Sequence, residues 1–196
     1  MTRAALLVGL LLVPLGWLLA GIGLGMVGHM AGHMIAVALA APLLGYGTCG
    51  SAIDPAARRP RLVTPMATML FELITVWLWH LPALRSAAEA SRLVMVVEQL
   101  HFLAAGWLLW ASVLHAPQRM AGVGALLLTS MHMTLLGVLI GLSPRPLYAF
   151  PHHADALDPL ADQQLGGVVM LLVGAASYMI GGLALLAGLI RVRSAP

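Results

Sequence analysis

The chain has 196 residues, of which 61% are hydrophobic and 9% charged, and its formal net charge at pH 7 is +3. A mean hydropathy of +0.96 excludes an ordinary soluble domain, because several apolar runs exceed the roughly 18 residues that suggest a membrane span. The basic residues lie at the ends of these runs and therefore indicate membrane orientation, not nucleic-acid binding. The single cysteine, Cys49, can form neither an internal disulfide nor a multi-thiolate site.

We expect an all-α membrane protein whose single domain, residues 1–196, is a bundle of six transmembrane helices. The apolar runs predict helices at about 4–23, 26–44, 66–81, 91–114, 120–142 and 162–190. The polar segment 45–65 is predicted to be a loop, and Pro82 ends the third helix. The first run resembles a signal peptide, but Leu18 stands where cleavage after Ala20 requires a small residue, so we expect this helix to be retained.

Six spans place both termini on one side of the membrane. Seven arginines fall on that side: Arg3, Arg58, Arg59, Arg61, Arg119, Arg191 and Arg193. Three fall on the other: Arg85, Arg92 and Arg145. The positive-inside rule therefore predicts that the N and C termini are cytoplasmic. In this topology only His115 lies at the cytoplasmic end, and the other histidines lie in the outer half or near the midplane.

One stretch of the second helix concentrates the polar and soft side chains of that helix. Met26, His29, Met30, His33 and Met34 follow one another at offsets of 0, 3, 4, 7 and 8, which place them in one stripe along a helix. Imidazole and thioether together suit copper better than calcium or magnesium. The alternative is that the methionines only pack and that the histidines bond to backbone and neighbouring groups.

Other histidines are predicted to reach the same region from separate helices. His80 follows two tryptophans at the outer end of the third helix, Glu98 and His101 share a face of the fourth, and His132 lies at mid-depth on the fifth. We expect His101 and His132 to lie at the depth of His33. If they converge there, the stripe becomes a site with ligands from several helices.

Three carboxylates complete the candidate residues. A carboxylate in the hydrocarbon zone costs about 2.5 to 3.5 kcal/mol on insertion scales unless it is paired or neutral. Glu98 is predicted to bond to His101 or to support a metal or a proton path, and Glu72 to pair with a polar neighbour or to form a second station on an ion path. Asp162 lies in the first turn of the sixth helix, where the helix dipole favours negative charge. His152 and His153, with Asp155, fall in an outer loop and are predicted to be solvated.

The chain resembles the multi-span CtaG-type assembly factors of cytochrome c oxidase, which are distinct from the single-span periplasmic copper chaperone that shares the name. The matching pieces occur in the family's order between about Met26 and Tyr178. They are the doubled His-Met at 29–30 and 33–34, Ala-Pro-Leu-Leu at 41–44, Trp77 to Pro82, Glu98 with Phe102, Gly106 and Trp110, Ser143 to Tyr148, and Asp-Gln-Gln-Leu-Gly-Gly at 162–167.

The resemblance implies a multi-pass protein of the bacterial inner membrane that helps to supply copper to the oxidase. It implies functional positions in the His-Met stripe, at His80 and around Glu98, and partners among oxidase subunits or a periplasmic copper chaperone. Members usually have about one further helix on the N-terminal side. Gln99 stands where the family often has a histidine, and His101 is expected to compensate.

Three functions remain open from the sequence. The first is Cu(I) binding by His29 and His33 with His80 or His101, with Met30 and Met34 as auxiliary ligands and His132 as a further candidate. The second is a haem-binding cytochrome in which His33 pairs with His101 or His132. The third is a structural membrane scaffold that binds no metal. We do not expect an enzyme, because the sequence contains neither a Gly-x-Ser-x-Gly elbow nor a His-Glu-x-x-His motif.

Overall fold

The computed structural model describes residues 2–115, 119–148 and 158–193, and every regular element within these ranges is helical. The elements are α1 (Thr2–Gly21), α2 (Gly25–Thr48), α3 (Pro55–Arg58), α4 (Pro65–Trp79), α5 (Pro82–Ala90), α6 (Arg92–His115), α7 (Arg119–Gly141) and α8 (159–193). The loop residues His152, His153 and Asp155 of the sequence analysis lie outside the described ranges.

Five of the described helices are long and apolar enough to cross a membrane, namely α1, α2, α6, α7 and α8. A sixth span arises only if α4 and α5 are counted together, because the chain bends by 72° between them. The predicted all-helical membrane architecture is therefore confirmed with five to six candidate spans. The sidedness of the termini stays a prediction.

The segment 82–90, which lies between the predicted third and fourth helices, is itself helical. Pro82 disfavours helix at the residue before it, but its fixed φ and missing N–H suit the first turn of a new helix, and α5 begins there. The predicted loop 45–65 is also partly helical, since α2 continues to Thr48 and the short α3 follows. Asp54 caps α3 by accepting hydrogen bonds from the backbone N–H groups of Ala56 and Ala57.

Helix α2 is the central element of the bundle and packs against α1, α6 and α8. Two glycines allow the contact with α1: a Cβ atom on Gly16 would lie only 2.6 Å from the carbonyl oxygen of Gly32. Small residues at such crossings let helix backbones approach closely in apolar surroundings. The predicted stripe of histidines and methionines therefore lies on a buried helix.

Both α2 and α8 contain a π-helical segment, at Ile35–Ala40 and Met170–Ala175. Neighbouring side chains bond to carbonyl oxygens of these segments. Ser177 donates to Ala38 O at 2.8 Å, Tyr178 donates to Val37 O at 3.3 Å, and Ser130 donates to Ala175 O at 2.8 Å. Such π segments often occur at functional sites. These bonds hold α2, α7 and α8 in one register.

The start of α2 is anchored by Asp162 of α8. The carboxylate of Asp162 accepts hydrogen bonds from the backbone N–H groups of Met26 at 2.6 Å and Val27 at 3.1 Å. These groups lie in the first turn of α2, where a helix leaves its N–H groups without internal partners. Gly25 has a φ of +66°, and a Cβ there would collide with the Asp162 carboxylate. The residues before His29 are thus fixed against α8.

Candidate metal centre

Helix α2 supplies two buried imidazoles. His29 and His33 are separated by one helical turn, so both rings lie on the same face, and their centroids are 5.1 Å apart. His33 is fully buried, and neither of its ring nitrogens has a hydrogen-bond partner among the described residues. Buried polar atoms are nearly always paired with protein or water, so an unpaired imidazole indicates a ligand site or a bound water.

The third imidazole comes from the bend between α4 and α5. The Nδ1–H of His80 donates to the carbonyl oxygen of Val76 at 2.6 Å. Since the carbonyl oxygen can only accept, Nδ1 carries the proton and Nε2 keeps its lone pair. Nε2 is buried without a partner among the described residues. This is the arrangement in which a histidine binds a metal through one nitrogen while the backbone orients the other.

The backbone at this bend is held by Tyr148. Its hydroxyl donates to the carbonyl oxygen of His80 at 2.9 Å. Burial raises the pKa of Tyr148 to about 12, so the hydroxyl keeps its proton at neutral pH and stays a donor. Hydrogen bonds therefore hold both the ring and the backbone carbonyl of His80.

The three histidines meet in one buried cluster. One ligand atom from each of His29, His33 and His80 lies within 4.8 Å of the others. The ring of His80 lies 5.1 Å from that of His33 and 6.0 Å from that of His29. Phe102 stacks on His33 with a centroid distance of 4.5 Å and forms an apolar wall. Metal–imidazole bonds of about 2 Å allow a single ion to bridge nitrogens separated by up to about 4 Å, so a small closure of this cluster would complete a three-coordinate site.

A buried arginine lies against the histidine cluster. The Nη1 of Arg85, from α5, lies 2.7 Å from the Nδ1 of His29. The same nitrogen donates to both carboxylate oxygens of Glu98, at 2.6 and 2.8 Å. The Nη2 of Arg85 donates to Glu89, one turn later on α5, at 2.8 Å. Arg85 thus joins His29 to two carboxylates.

The methionines of the stripe contact α8. A Cβ on Gly166 would lie 2.9 Å from the side chain of Met26 and 3.2 Å from that of Met30, and a Cβ on Gly174 would lie 2.8 Å from the Sδ of Met34. The stripe is therefore divided: its histidines face Arg85 and Phe102, and its methionines fill space beside glycines of α8.

His101 and His132 do not join this cluster. His101 is exposed, lies 5.8 Å from the ring of Trp79 and bonds to its own helix through Val97 O. One residue later, Phe102 takes the inward position. The expected bond between Glu98 and His101 is therefore replaced by the contact of Glu98 with Arg85. Gln99 is buried whereas His101 is exposed, so the two side chains lie in different surroundings.

His132 belongs to a second buried cluster. Its Nε2 lies 2.9 Å from a carboxylate oxygen of Glu72, whose other oxygen lies 3.4 Å from the hydroxyl of Tyr178. The predicted polar partner of Glu72 is thus His132, and His132 is not part of the group that His29, His33 and His80 form. The sequence proposed two histidine pairs for a haem, His33 with His101 and His33 with His132. Within the described part of the chain, the rings of neither pair face each other.

A further group of ligand-type side chains contains Cys49, Asp54 and His115. It lies at the other end of α2, about 30 Å from His29 at a rise of about 1.5 Å per residue. The Asp54 carboxylate already accepts bonds from the backbone N–H groups of Gly50 and Ala56. Its role in capping α3 accounts for its burial.

Sequence reasoning missed Arg85, although two signals pointed to it. Pro82 is a favourable first residue of a helix, and Arg85 and Glu89 have the spacing of a helical ion pair. In addition, a buried carboxylate such as Glu98 requires a cation or a proton, and the side predicted to be outer has only three arginines. Phe102 and Tyr148 entered only as residues of the family resemblance.

The fold and the histidine cluster define a polytopic helical membrane protein with a buried cluster of three imidazoles, a donor set that suits a soft or borderline metal ion. The chain belongs to the family of cytochrome c oxidase caa3 assembly factors (Caa3_CtaG), whose family model matches residues 5–192. Comparison with curated proteins and with solved structures gave no match.

Proposed function

We propose that this protein binds Cu(I) at His29, His33 and His80 and transfers it to a cytochrome c oxidase during assembly of that enzyme. The proposal depends on one observation, the meeting of three buried imidazoles within 4.8 Å. Membership of an oxidase assembly family supports the oxidase as the recipient.

The donor set suits Cu(I) as cargo. Three neutral nitrogens at low coordination number bind a soft monovalent ion, and ligand exchange needs no deprotonated thiol. The Nε2 of His80 and the unpaired nitrogens of His33 support this assignment. Met30 and Met34 are candidates for auxiliary ligands during transfer, since they occupy the adjacent side of the same helix.

The position of the cluster supports a place near one membrane face. His29 lies in the first turns of α2, and His80 lies at the bend that ends α4. In the predicted topology this end of the bundle is the outer face of the bacterial inner membrane. Copper would arrive there from a periplasmic chaperone and leave toward an oxidase subunit.

The direct test is a Cu(I) competition titration of detergent-purified protein against a chromophoric Cu(I) chelator. Wild type should bind one Cu(I) per chain, and His33→Ala and His80→Ala should each weaken the affinity by about tenfold or more. His101→Ala is the matched control, because it removes an exposed imidazole outside the cluster. Equal affinity in wild type and both cluster variants would contradict the proposal.

A structural scaffold is the second candidate, and the contact between Arg85 and His29 favours it because it satisfies one histidine without a metal. The two functions separate in cells that carry only His33→Ala or His80→Ala. Copper handling predicts an oxidase that lacks copper while the variant still co-purifies with oxidase subunits. A fully copper-loaded oxidase in these cells would support the scaffold.

A further inference from the structure

Arg85 donates a hydrogen bond to the ring nitrogen of His29 whose lone pair a metal would need. Its Nη1 lies 2.7 Å from Nδ1 and 3.4 Å from Nε2 of His29. A guanidinium group has only donors, so the nitrogen that pairs with it must be the one without a proton. A neutral imidazole has one such nitrogen. Any metal bond to His29 therefore requires that Arg85 first releases this ring.

The positive and negative charges beside the histidine cluster do not cancel. Arg85 contributes one positive charge, and its two partners Glu89 and Glu98 contribute two negative charges when both are ionised. With the three histidines neutral, this group has a net charge of −1. One monovalent cation makes the group neutral, whereas a divalent cation leaves an uncompensated positive charge among residues that are largely buried.

We infer that Arg85 makes the histidine cluster selective for a monovalent soft cation over divalent ions such as Zn²⁺. This inference rests on the proposed function and deepens it by naming the charge class of the cargo and the residue that selects it. Arg85 acts as a positioning and selectivity residue, since it touches a ligand histidine and both carboxylates. On loading, it releases His29 and keeps its bonds to Glu98 and Glu89.

The surroundings of Glu89 allow this movement. Glu89 is partly exposed and lines a cavity of about 490 Å³ between α1, α5 and α6, together with Trp17, Arg92 and Met95. The carboxylate of Glu89 is therefore accessible to water, while that of Glu98 is fully buried. A guanidinium that leaves His29 can turn toward this cavity without losing a charged partner.

The experiment compares Ag⁺, a redox-inert substitute for Cu(I), with Zn²⁺ by calorimetric titration of the full chain in chloride-free detergent buffer. Arg85→Gln removes the charge, Arg85→Lys keeps it, and Arg92→Gln removes a charge at the cavity rim. We expect Arg85→Gln to raise the Zn²⁺ affinity relative to that of Ag⁺ by about tenfold or more, because the lost repulsion is twice as large for a divalent ion. Arg85→Lys and Arg92→Gln should keep the wild-type ratio.

Glu89→Gln provides a second variant, since its side chain is partly exposed and its replacement perturbs packing little. It removes one negative charge, so a bound monovalent ion leaves the group at +1, and the Ag⁺ affinity should fall by about tenfold. An unchanged Ag⁺ to Zn²⁺ ratio in Arg85→Gln, or an unchanged Ag⁺ affinity in Glu89→Gln, would overturn the inference. The proposed function itself would fail in either of two cases: if wild type bound neither Ag⁺ nor Cu(I), or if His33→Ala bound these ions as tightly as wild type.

Discussion

The hydrogen bond from His80 Nδ1 to the carbonyl oxygen of Val76, 2.6 Å long, leaves Nε2 as the nitrogen through which His80 can bind a metal. It joins the last turn of α4 to the residue at the bend. Because the bond uses Nδ1, the lone pair of Nε2 is directed away from the backbone of α4. The end of α4 thus prepares one ligand for a site whose other two imidazoles come from α2.

The Cu(I)-loaded protein should contain three imidazole ligands. X-ray absorption spectroscopy should find nitrogen scatterers at about 2.0 Å with the outer-shell scattering of imidazole rings. His80→Ala should reduce the fitted number from three to two. A sulfur scatterer would show that Met30 or Met34 joins the ion. Copper without any imidazole scattering would place the site elsewhere in the chain.

The variant Tyr148→Phe should weaken the bend that carries His80. It removes the hydroxyl that donates to the His80 carbonyl oxygen and leaves that oxygen without this donor in a buried position. The free energy of unfolding should fall by about 1 kcal/mol, measured as a lower thermal midpoint in detergent. Tyr46→Phe is the matched control, because Tyr46 is exposed and should tolerate the change. Equal losses in both variants would contradict the role of Tyr148.

The variant Asp162→Ala should loosen the start of α2. Two backbone N–H groups, of Met26 and Val27, lose their acceptor, and helix caps of this kind contribute about 1 kcal/mol each. We expect a lower thermal midpoint and a weaker Cu(I) affinity, since His29 lies in the next turn.

Asp158→Ala is the matched control for this prediction. Asp158 accepts hydrogen bonds from the N–H groups of Leu160 and Ala161 and so caps α8 rather than α2. Its loss should therefore leave the Cu(I) affinity unchanged. If both aspartate variants weakened copper binding equally, the effect would come from α8 as a whole and not from the anchor of α2.

The variant Glu72→Ala should destabilise the protein without affecting the histidine cluster. It leaves the buried imidazole of His132 and the hydroxyl of Tyr178 without their shared partner. Loss of the partner of a buried polar group costs about 1 to 3 kcal/mol, which a thermal melt in detergent detects. The Cu(I) affinity of the folded variant should equal that of wild type. A matching loss of copper binding would instead indicate that the two clusters belong to one ion path.

Several features of the bundle could be predicted from the sequence. The apolar runs predicted the helices, and the family resemblance pointed to the same oxidase assembly family that the family model matches. The spacing of four residues between His29 and His33 placed both rings on one face of α2. His80 stood out as a histidine that follows two tryptophans at the end of a span. These inferences depend on local geometry, which the order of residues fixes.

Other features required the folded chain. Helical spacing shows which residues share a face, but in helices that are apolar all round it does not show which face points inward. Sequence reasoning therefore chose His101 where the fold turns Phe102 inward, and it placed His132 with His33 where the fold pairs it with Glu72. The bonds to the two π segments likewise come from other helices: Ser177 and Tyr178 of α8 donate to the segment in α2, and Ser130 of α7 donates to the segment in α8.

The sequence by itself determined that this protein is a helical membrane protein with a paired His-Met stripe, because hydropathy and helical periodicity are local properties of the chain. Only the tertiary structure decided that His80 completes the cluster and that Arg85 lies between His29 and two carboxylates. The 72° bend between α4 and α5 turns Arg85 into the bundle, and the electrostatic need of buried Glu98 for a cation holds it there.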